Sequence, residues 1–261
     1  MDNNWRSYVV ELVGTFMFVL LASGAVCTSY LPADQSGKVY PDLTAMALAQ
    51  GFALAALLGV TPRFSEGCLN PAITLALWVF KRLELRKLGG LLAAQLLGSF
   101  LAGLVLWLSF WEIVLRDARL GAPHLNAKAF GLPDASFASA LLSGIGFELL
   151  LSFIVTLVIF ATLLDPRAPR FGGLAAGLAL SAVIFMGYYL TGAAVNPARW
   201  FGPALCERFL LGMPDALDDH IIYWLGPILG ALAAGGLYTF CMMPADVEST
   251  ESAAIKPRER K

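Results

Sequence analysis

Two copies of the tripeptide Asn-Pro-Ala are the residues whose types and spacing best suit a chemical role. They are Asn70, Pro71 and Ala72 in the first copy and Asn196, Pro197 and Ala198 in the second. Proline is favoured in the first turn of a helix, where no backbone N–H is needed, and asparagine just before it is a good cap. The sequence therefore predicts that each copy starts a helix, with an asparagine amide at its tip that can donate hydrogen bonds.

Both predicted helices are too short to cross a membrane. The apolar segments that begin at the tripeptides cover residues 70–80 and 196–211, whereas a spanning helix needs about 20 apolar residues. Irregular backbone at membrane depth is tolerated only where protein buries it or where it lines a watery cavity. If the two segments enter from opposite faces, their N-termini meet near the midplane, and a pore is the natural interpretation.

Three charged side chains accompany these segments. Arg199 directly follows the second tripeptide, and Glu11 and Glu148 each lie in a long apolar segment. A charge at membrane depth is expensive, so Glu11 and Glu148 are expected to face the interior of the protein. Arg199 is expected to line the pore, and the alternative is that its side chain extends to the outer interface. Each helix N-terminus carries about half a positive charge. Two opposed N-termini and Arg199 would therefore repel protons and cations, while hydrogen-bond donors would pass a neutral solute.

The composition places these motifs in an integral membrane protein. Of the 261 residues, 58% are hydrophobic and 14% are charged, and the mean hydropathy is +0.70, far above that of an ordinary soluble chain. The net charge of -1 excludes the basic surface of a nucleic-acid-binding protein. The four cysteines form no C-x-x-C pair and have no histidine at ligand spacing, so neither a metal site nor a cofactor is expected.

Six apolar segments are long enough to cross a bilayer as helices. They cover residues 8–30, 43–61, 88–111, 138–163, 172–190 and 221–242. With six spans, two thirds of the 18 lysines and arginines fall on the side of the N-terminus. Since cytoplasmic loops carry the excess of these residues, both termini are predicted to lie in the cytoplasm.

The chain contains an internal repeat. The two tripeptides lie 126 positions apart, Gly51 and Gly177 have the same separation, and Glu11 and Glu148 occur in the similar segments VELVGTF and FELLLSF. Three spans in each half force the two copies into opposite orientations. One structural domain is predicted, made of a first repeat (1–122), a connecting outer loop (123–137), a second repeat (138–243) and a cytoplasmic tail (244–261).

These features together resemble the aquaporin (major intrinsic protein) family. The resemblance implies an all-α polytopic membrane protein with six transmembrane helices, two re-entrant half-helices and an inverted internal repeat. It also implies a passive channel rather than an enzyme, assembled as a homotetramer among membrane lipids. The absence of a transit peptide suits a plasma or bacterial inner membrane. In such a channel Glu11 and Glu148 brace the loops before the half-helices by accepting backbone N–H bonds.

Four positions of this family form a narrow filter at the outer mouth, and by spacing they fall on Gln50, Ile184, Ala193 and Arg199. The family's water pattern has an aromatic residue and then histidine at the first two positions, and its glycerol pattern has aromatics at the first and third. This sequence has neither. The pairing of Ile184 with Ala193 is similar to the pairing at these two positions in plant vacuolar-type members of the family. Some of those members pass ammonia, urea or hydrogen peroxide besides water. Water is expected as the main solute, with these molecules and glycerol as further solutes. A register shift of two residues would replace Gln50 by Phe52.

The loop before the first tripeptide departs from the family pattern. Glu66 stands where glycine is usual, and Cys68 stands where histidine often narrows the cytoplasmic side, so this constriction is expected to be wide. Glu66 is expected to pair with Arg63 or Arg82, and gating by Glu66 is the alternative. His124 is expected to be a solvated loop residue.

Two other functions stay open on the sequence. A secondary transporter also uses inverted repeats and broken helices, although the sequence lacks the paired intramembrane charges that ion coupling needs. The other is a structural membrane protein whose pore is closed by Glu66 or Trp200. Saturable, gradient-coupled uptake would favour the transporter, and loss of all flux would favour the structural protein.

Overall fold

The computed structural model describes residues 4–31, 41–65, 69–130, 137–165, 167–168 and 171–243. Within these ranges every regular element is helical and no strand is present. Glu66 and Cys68 lie outside the described residues, and so does the tail predicted for residues 244–261.

The described part of the chain forms long and short α-helices. They are α1 (Trp5–Ser29), α2 (Leu43–Val60), α3 (Pro71–Val79), α4 (Leu85–Ser109), α5 (Glu112–Asp117), α6 (Phe137–Ile159), α7 (Gly172–Thr191), α8 (Pro197–Leu210) and α9 (His220–Leu237). All except α3, α5 and α8 belong to six segments that are long and apolar enough to cross a membrane. At 1.5 Å per residue, such helices span about 27–38 Å, which matches a hydrocarbon core of about 30 Å. The six predicted spans are confirmed, with boundaries that differ by at most three residues.

The two short helices α3 and α8 start at the prolines of the tripeptides. α3 has 9 residues and α8 has 14, which correspond to about 14 Å and 21 Å of helix, too short to cross the membrane. Asn70 and Asn196 cap them, because Oδ1 of each asparagine accepts a hydrogen bond from the backbone N–H two residues later at 2.9 Å. The fold is therefore the predicted one, with six transmembrane helices and two re-entrant half-helices.

The order of elements repeats along the chain, since each half supplies two long helices, a half-helix and a third long helix. The most extensive contacts join α1 with α4, α6 with α9, and α2 with α7. The α2–α7 contact joins the two halves, and it is close because Gly51 and Gly177 face each other across it. A methyl group on Gly177 would lie 2.3 Å from the carbonyl oxygen of Gly51. Small residues at such crossings let helix backbones approach closely in a membrane.

Gly177→Ala is expected to destabilise the protein by about 1–3 kcal/mol, because the added methyl group has no space between α2 and α7. The thermal unfolding midpoint of purified protein in detergent measures the effect. Gly59→Ala is the matched control, since Gly59 also lies within a helix and no atom of another helix comes within 4 Å of its added methyl group. This control should be neutral or slightly stabilising, because alanine favours helix more than glycine does. Equal losses in both variants would contradict the close packing of α2 and α7.

A short helix and a tight turn connect α4 to the second half, and the sequence did not predict either. α5 is followed by a turn at Arg119–Gly121. We call residues 118–126 the connecting loop; it begins before the connecting outer loop predicted for residues 123–137 and overlaps only its first four residues. Its Gly121 carbonyl accepts a hydrogen bond from the Ser23 hydroxyl of α1, and its Asn126 N–H donates one to the Leu190 carbonyl of α7 at 2.8 Å. The connecting loop therefore covers one end of the bundle.

Candidate functional site

The N-termini of α3 and α8 meet inside the bundle, and each asparagine reaches across to the other half. Asn70 Nδ2 donates a hydrogen bond to the carbonyl oxygen of Val195 at 3.1 Å, and Asn196 Nδ2 donates one to that of Leu69 at 2.8 Å. An asparagine amide has two N–H donors. Each side chain therefore uses one donor to join the halves and keeps the second for another partner. We call this arrangement the asparagine junction.

A small cavity lies at the asparagine junction. Its volume is about 20 Å³, which is space for about one water molecule. Asn70 and Asn196 are the polar side chains in its lining, and apolar side chains of the long helices form the other walls, among them Phe18, Leu54 and Val155. A molecule at this point also meets two helix N-termini, each with about half a positive charge, so the cavity favours hydrogen-bond acceptors over cations.

Glu148 on α6 holds the loop before α8 with its buried carboxylate. Oε1 accepts hydrogen bonds from the Thr191 hydroxyl at 2.6 Å and the Ala194 N–H at 2.9 Å, and Oε2 accepts one from the Val195 N–H at 2.8 Å. These backbone donors lie outside regular helix, and an unpaired N–H in this setting costs several kcal/mol. Glu148 thereby satisfies the loop that presents Asn196.

Glu11 on α1 makes the corresponding contacts in the first half. Its carboxylate accepts hydrogen bonds from the Ser65 hydroxyl at 2.7 Å, the Leu69 N–H at 3.0 Å and the Gln95 side-chain amide at 2.6 Å. Leu69 directly precedes the first tripeptide, as Val195 precedes the second. The two carboxylates therefore contact equivalent residues of the two loops.

Leu69 and Val195 share an unusual backbone conformation. Their φ angles are 56° and 58°, in the left-handed region that β-branched and bulky residues rarely adopt. Such conformations persist where the surrounding contacts over-determine them, and they cluster at functional sites. Here a carboxylate binds the N–H of each residue and an asparagine of the other half binds its carbonyl oxygen. The strain is thus held at the point where the halves join.

Arg199, in the first turn of α8, is fixed by residues of three other elements. Nη1 donates hydrogen bonds to the Gly121 carbonyl of the connecting loop at 2.7 Å and to the Ser23 hydroxyl of α1 at 3.0 Å. Nε lies 3.4 Å from Oε1 of Gln50 on α2. The residue is only 2% exposed, and a cavity of about 210 Å³ lies beside it under the connecting loop. Arg199 therefore faces this cavity, one helical turn from Asn196. We call it the outer cavity, after the side on which the sequence predicts it to lie.

The four residues predicted to form the filter are all buried, and two of them are in contact. Gln50 is 2% exposed and touches Arg199, whereas Phe52, which a register shift would place there, is 57% exposed on the outer surface of the bundle. Ile184 lies on α7 and Ala193 in the loop after it, and both belong to the same buried cluster. The contact supports Gln50 over Phe52, and the role of all four residues as a filter stays a prediction.

Trp200, the residue that would close the pore in a structural membrane protein, packs between α8 and α9. Its ring stacks on that of Tyr223, with the centroids 5.6 Å apart. The Tyr223 hydroxyl donates a hydrogen bond to the Thr191 carbonyl at 2.7 Å. Trp200 does not line the cavity at the asparagine junction or the outer cavity.

The sequence did not predict a polar cluster under the connecting loop. The expectation that His124 is a solvated loop residue is wrong. Its side chain is only 13% exposed, and Nε2 lies 2.7 Å from Oε2 of the buried Glu207 on α8. Arg119 Nε lies 2.5 Å from Oε1 of the same carboxylate. A glutamate in an apolar half-helix does signal that a partner is needed. The sequence does not tell which residue supplies it, because the contact to His124 joins positions 83 residues apart.

Known proteins are similar to this chain in sequence. The profile of the major intrinsic protein family matches residues 1–238. The chain is 34% identical to aquaporin TIP4-4 of Zea mays over 235 residues, which cover 89% of this chain and 85% of that protein. It is 30% identical to aquaporin-4 of Bos taurus over 246 residues, which cover 94% of this chain and 69% of that protein.

The fold matches a solved structure as well. The X-ray structure of the aquaglyceroporin from Plasmodium falciparum aligns with a TM-score of 0.76 at 22% sequence identity, and the alignment covers 93% of this chain and 98% of that chain. This likeness shows a shared fold. The chain therefore belongs to the major intrinsic protein family, whose members are membrane channels and not enzymes.

Proposed function

We propose that the protein is a passive channel for water that also passes small neutral solutes and excludes protons and ions. The observation that carries this proposal is the asparagine junction, where two half-helices present amide donors to a cavity with space for about one water molecule. Ammonia, urea, hydrogen peroxide and glycerol are the proposed further solutes. No chemical step is required of the protein.

Ion exclusion is inferred from the positive potential along the path. The two half-helix N-termini contribute about half a charge each, and Arg199 adds a full charge that Gly121 and Ser23 hold in place. In a narrow pore of low dielectric constant this potential repels cations and hydronium, while amide donors replace the hydration of a neutral acceptor. We assign Glu11 and Glu148 to loop support, because they bind loop donors and do not line the cavity at the asparagine junction.

The proposed range of solutes rests on Gln50, Ile184 and Ala193. Ile184 offers no hydrogen bond and Ala193 is small, so one wall of the predicted filter is apolar and leaves space. Gln50 offers an acceptor through Oε1, and its Nε2 has no hydrogen-bond partner among the described residues. A filter with these groups suits a small uncharged molecule that both donates and accepts hydrogen bonds.

We also propose the orientation and assembly of the channel. The excess of lysine and arginine on the side of the N-terminus supports termini in the cytoplasm and an Arg199 end that faces outward, in a plasma or bacterial inner membrane. Large apolar side chains such as Phe52, Leu108 and Phe240 are exposed on the described helices. Such a surface suits lipid chains and a neighbouring copy, and we propose a homotetramer.

Stopped-flow light scattering on liposomes that contain the purified protein tests the proposed function. In an impermeant osmolyte we expect shrinkage at least about tenfold faster than in protein-free vesicles, a barrier lower by about 1.4 kcal/mol. Re-swelling in urea or glycerol identifies the further solutes. Shrinkage at the rate of protein-free vesicles would contradict the channel and favour a closed structural protein. Saturable uptake driven by an ion gradient would favour a secondary transporter instead.

A further inference from the structure

Glu207 on α8 is a buried carboxylate that the proposed path for solutes does not use. Its side chain is 0% exposed, and two basic residues of the connecting loop face it. Arg119 Nε lies 2.5 Å from Oε1, and His124 Nε2 lies 2.7 Å from Oε2. A buried charge is retained when it is paired, and removal of one partner is strongly destabilising. These contacts therefore tie the connecting loop to α8.

The two basic residues flank the carbonyl group that binds Arg199. Gly121 lies between Arg119 and His124 in the chain, and its carbonyl oxygen accepts the hydrogen bond from Arg199 Nη1 at 2.7 Å. Glu207 and Arg199 lie on the same half-helix. The half-helix thus positions the loop through Glu207, and the loop positions the guanidinium of Arg199.

The connecting loop has little freedom between these contacts. Arg119, Leu120 and Gly121 have φ angles of 50°, 52° and 70°, and a run of left-handed residues persists only where the surrounding contacts over-determine it. Gly121 also lies against α1, since a methyl group on it would come within 2.5 Å of the Ser23 backbone oxygen. A segment held this tightly shifts as a unit, so release at Glu207 moves the Gly121 carbonyl.

We propose that Glu207 is a positioning residue for Arg199, acting through the connecting loop, and that the charge of His124 makes this support dependent on pH. The inference rests on the proposed function, because the position of Arg199 affects flux only in a channel. When the loop shifts, Arg199 loses the Gly121 carbonyl, the nearest of its three acceptors, and the N–H group set free turns towards water in the path. The path becomes narrower and water flux falls.

Carboxylates face both ring nitrogens of His124, and this arrangement makes the strength of its contacts depend on pH. Nε2 faces Glu207 of α8, and Nδ1 lies 3.4 Å from Oδ2 of Asp219, which precedes α9. Arg119 is the cation beside them, and Asp215 binds its Nη2 at 3.0 Å. A neutral imidazole donates through one nitrogen only, whereas the imidazolium donates through both. The other titratable side chains around the outer cavity are Asp117, Arg199, Tyr30, Tyr188 and Tyr189.

The pKa of His124 is raised above its ordinary value. Burial acts to lower this pKa, but the hydrogen bonds to Asp219 and Glu207, together with the negative charge of Glu207, outweigh burial. Because the folded-state pKa is raised, the support from the imidazolium is fully present below a pH of about 6.5 and is lost as the pH rises through the raised pKa. Water flux should accordingly be higher in weak acid than in weak base.

The test is stopped-flow water flux in liposomes at about pH 6 and about pH 9, normalised to the amount of inserted protein. The native protein should lose at least about threefold in flux between the two pH values, which corresponds to a barrier raised by about 0.65 kcal/mol. Glu207→Gln should lower the flux at the acidic pH to the same extent and flatten the pH profile, and His124→Asn should remove the pH dependence. Glu112→Gln is the matched control, because its ion pair with Arg116 at 2.8 Å is exposed on the neighbouring α5.

Five outcomes would decide against the inference. Equal flux at both pH values in the native protein would overturn the role of His124. If Glu207→Gln had the same flux as Glu112→Gln, the role of Glu207 would be overturned. If Glu207→Gln had a lower flux but an unchanged pH profile, Glu207 would give structural support only. If the Glu207→Gln variant does not insert into liposomes, the pH profiles of the native protein and of His124→Asn test the inference, and an unchanged pH dependence in His124→Asn overturns it. Absence of flux in the native protein at either pH would overturn the proposed function, and this inference with it.

Discussion

Replacement of Arg199 by valine is expected to raise urea permeability by at least about tenfold, which corresponds to a barrier lowered by 1.4 kcal/mol. The guanidinium lies beside Gln50 and is held by Gly121 and Ser23, so in the proposed channel it narrows the path at a fixed place. Valine removes most of this side chain and leaves a gap beside an already apolar wall. The exclusion of cations should weaken as well, because a full positive charge has left a region of low dielectric constant.

Re-swelling of liposomes in urea measures the first effect of Arg199→Val, and cation conductance of planar bilayers measures the second. Arg208→Val is the matched control. It is the same substitution on the same half-helix, at a residue that lines neither the asparagine junction nor the outer cavity. The control should leave both quantities unchanged. If the two variants had the same urea permeability, Arg199 would not belong to the filter.

Glu148→Ala is expected to have the largest effect on stability, a loss of about 3 kcal/mol or more. The substitution leaves the Thr191 hydroxyl and the N–H groups of Ala194 and Val195 without their acceptors, and each unpaired buried donor costs about 1–3 kcal/mol. It also removes the contact that holds Val195 at a φ of 58°. Glu148→Gln keeps one carbonyl acceptor and turns the other oxygen into a donor, so it should lose about 1–3 kcal/mol.

Thermal unfolding of the purified protein in detergent measures both Glu148 variants. For a chain of this size, a loss of 3 kcal/mol corresponds to a fall of about 5 °C or more in the unfolding midpoint. Glu84→Gln removes a carboxylate of the same type from an exposed ion pair with Arg86, and it should change the midpoint little because exposed pairs contribute about 0–1 kcal/mol. A midpoint of Glu148→Ala equal to that of Glu84→Gln would contradict a supporting role for Glu148.

The fold could be predicted largely because its signals are local. Apolar runs of sufficient length mark the six spans, and Asn-Pro at the head of a short run marks each half-helix. The start of a span was harder to predict where charged residues occupy its first turn. α4 begins at Leu85, so that Arg86 and Lys87 lie within it. Long basic side chains can bury their stems and keep their charges at the interface, so a count of apolar residues starts the span too late.

The site was harder to predict where side-chain contacts decide. α2 is apolar around most of its surface, so its periodicity could not distinguish Gln50 from Phe52, and only its packing against the other helices does. The contacts of Glu207 join positions 88 residues apart for Arg119 and 83 apart for His124. One sequence can show that a buried glutamate needs a partner, but the partner is chosen by how the connecting loop lies on α8.

The exchange of hydrogen bonds at the asparagine junction bears on how the chain is assembled during synthesis. Asn70 finds its acceptor on Val195, which is made 125 residues later. Until then the amide of Asn70 lacks this acceptor, and the carbonyl of Leu69 likewise lacks its donor until Asn196 is made. The asparagine junction can therefore form only after translation has passed residue 196, so its two hydrogen bonds belong to the last stage of assembly.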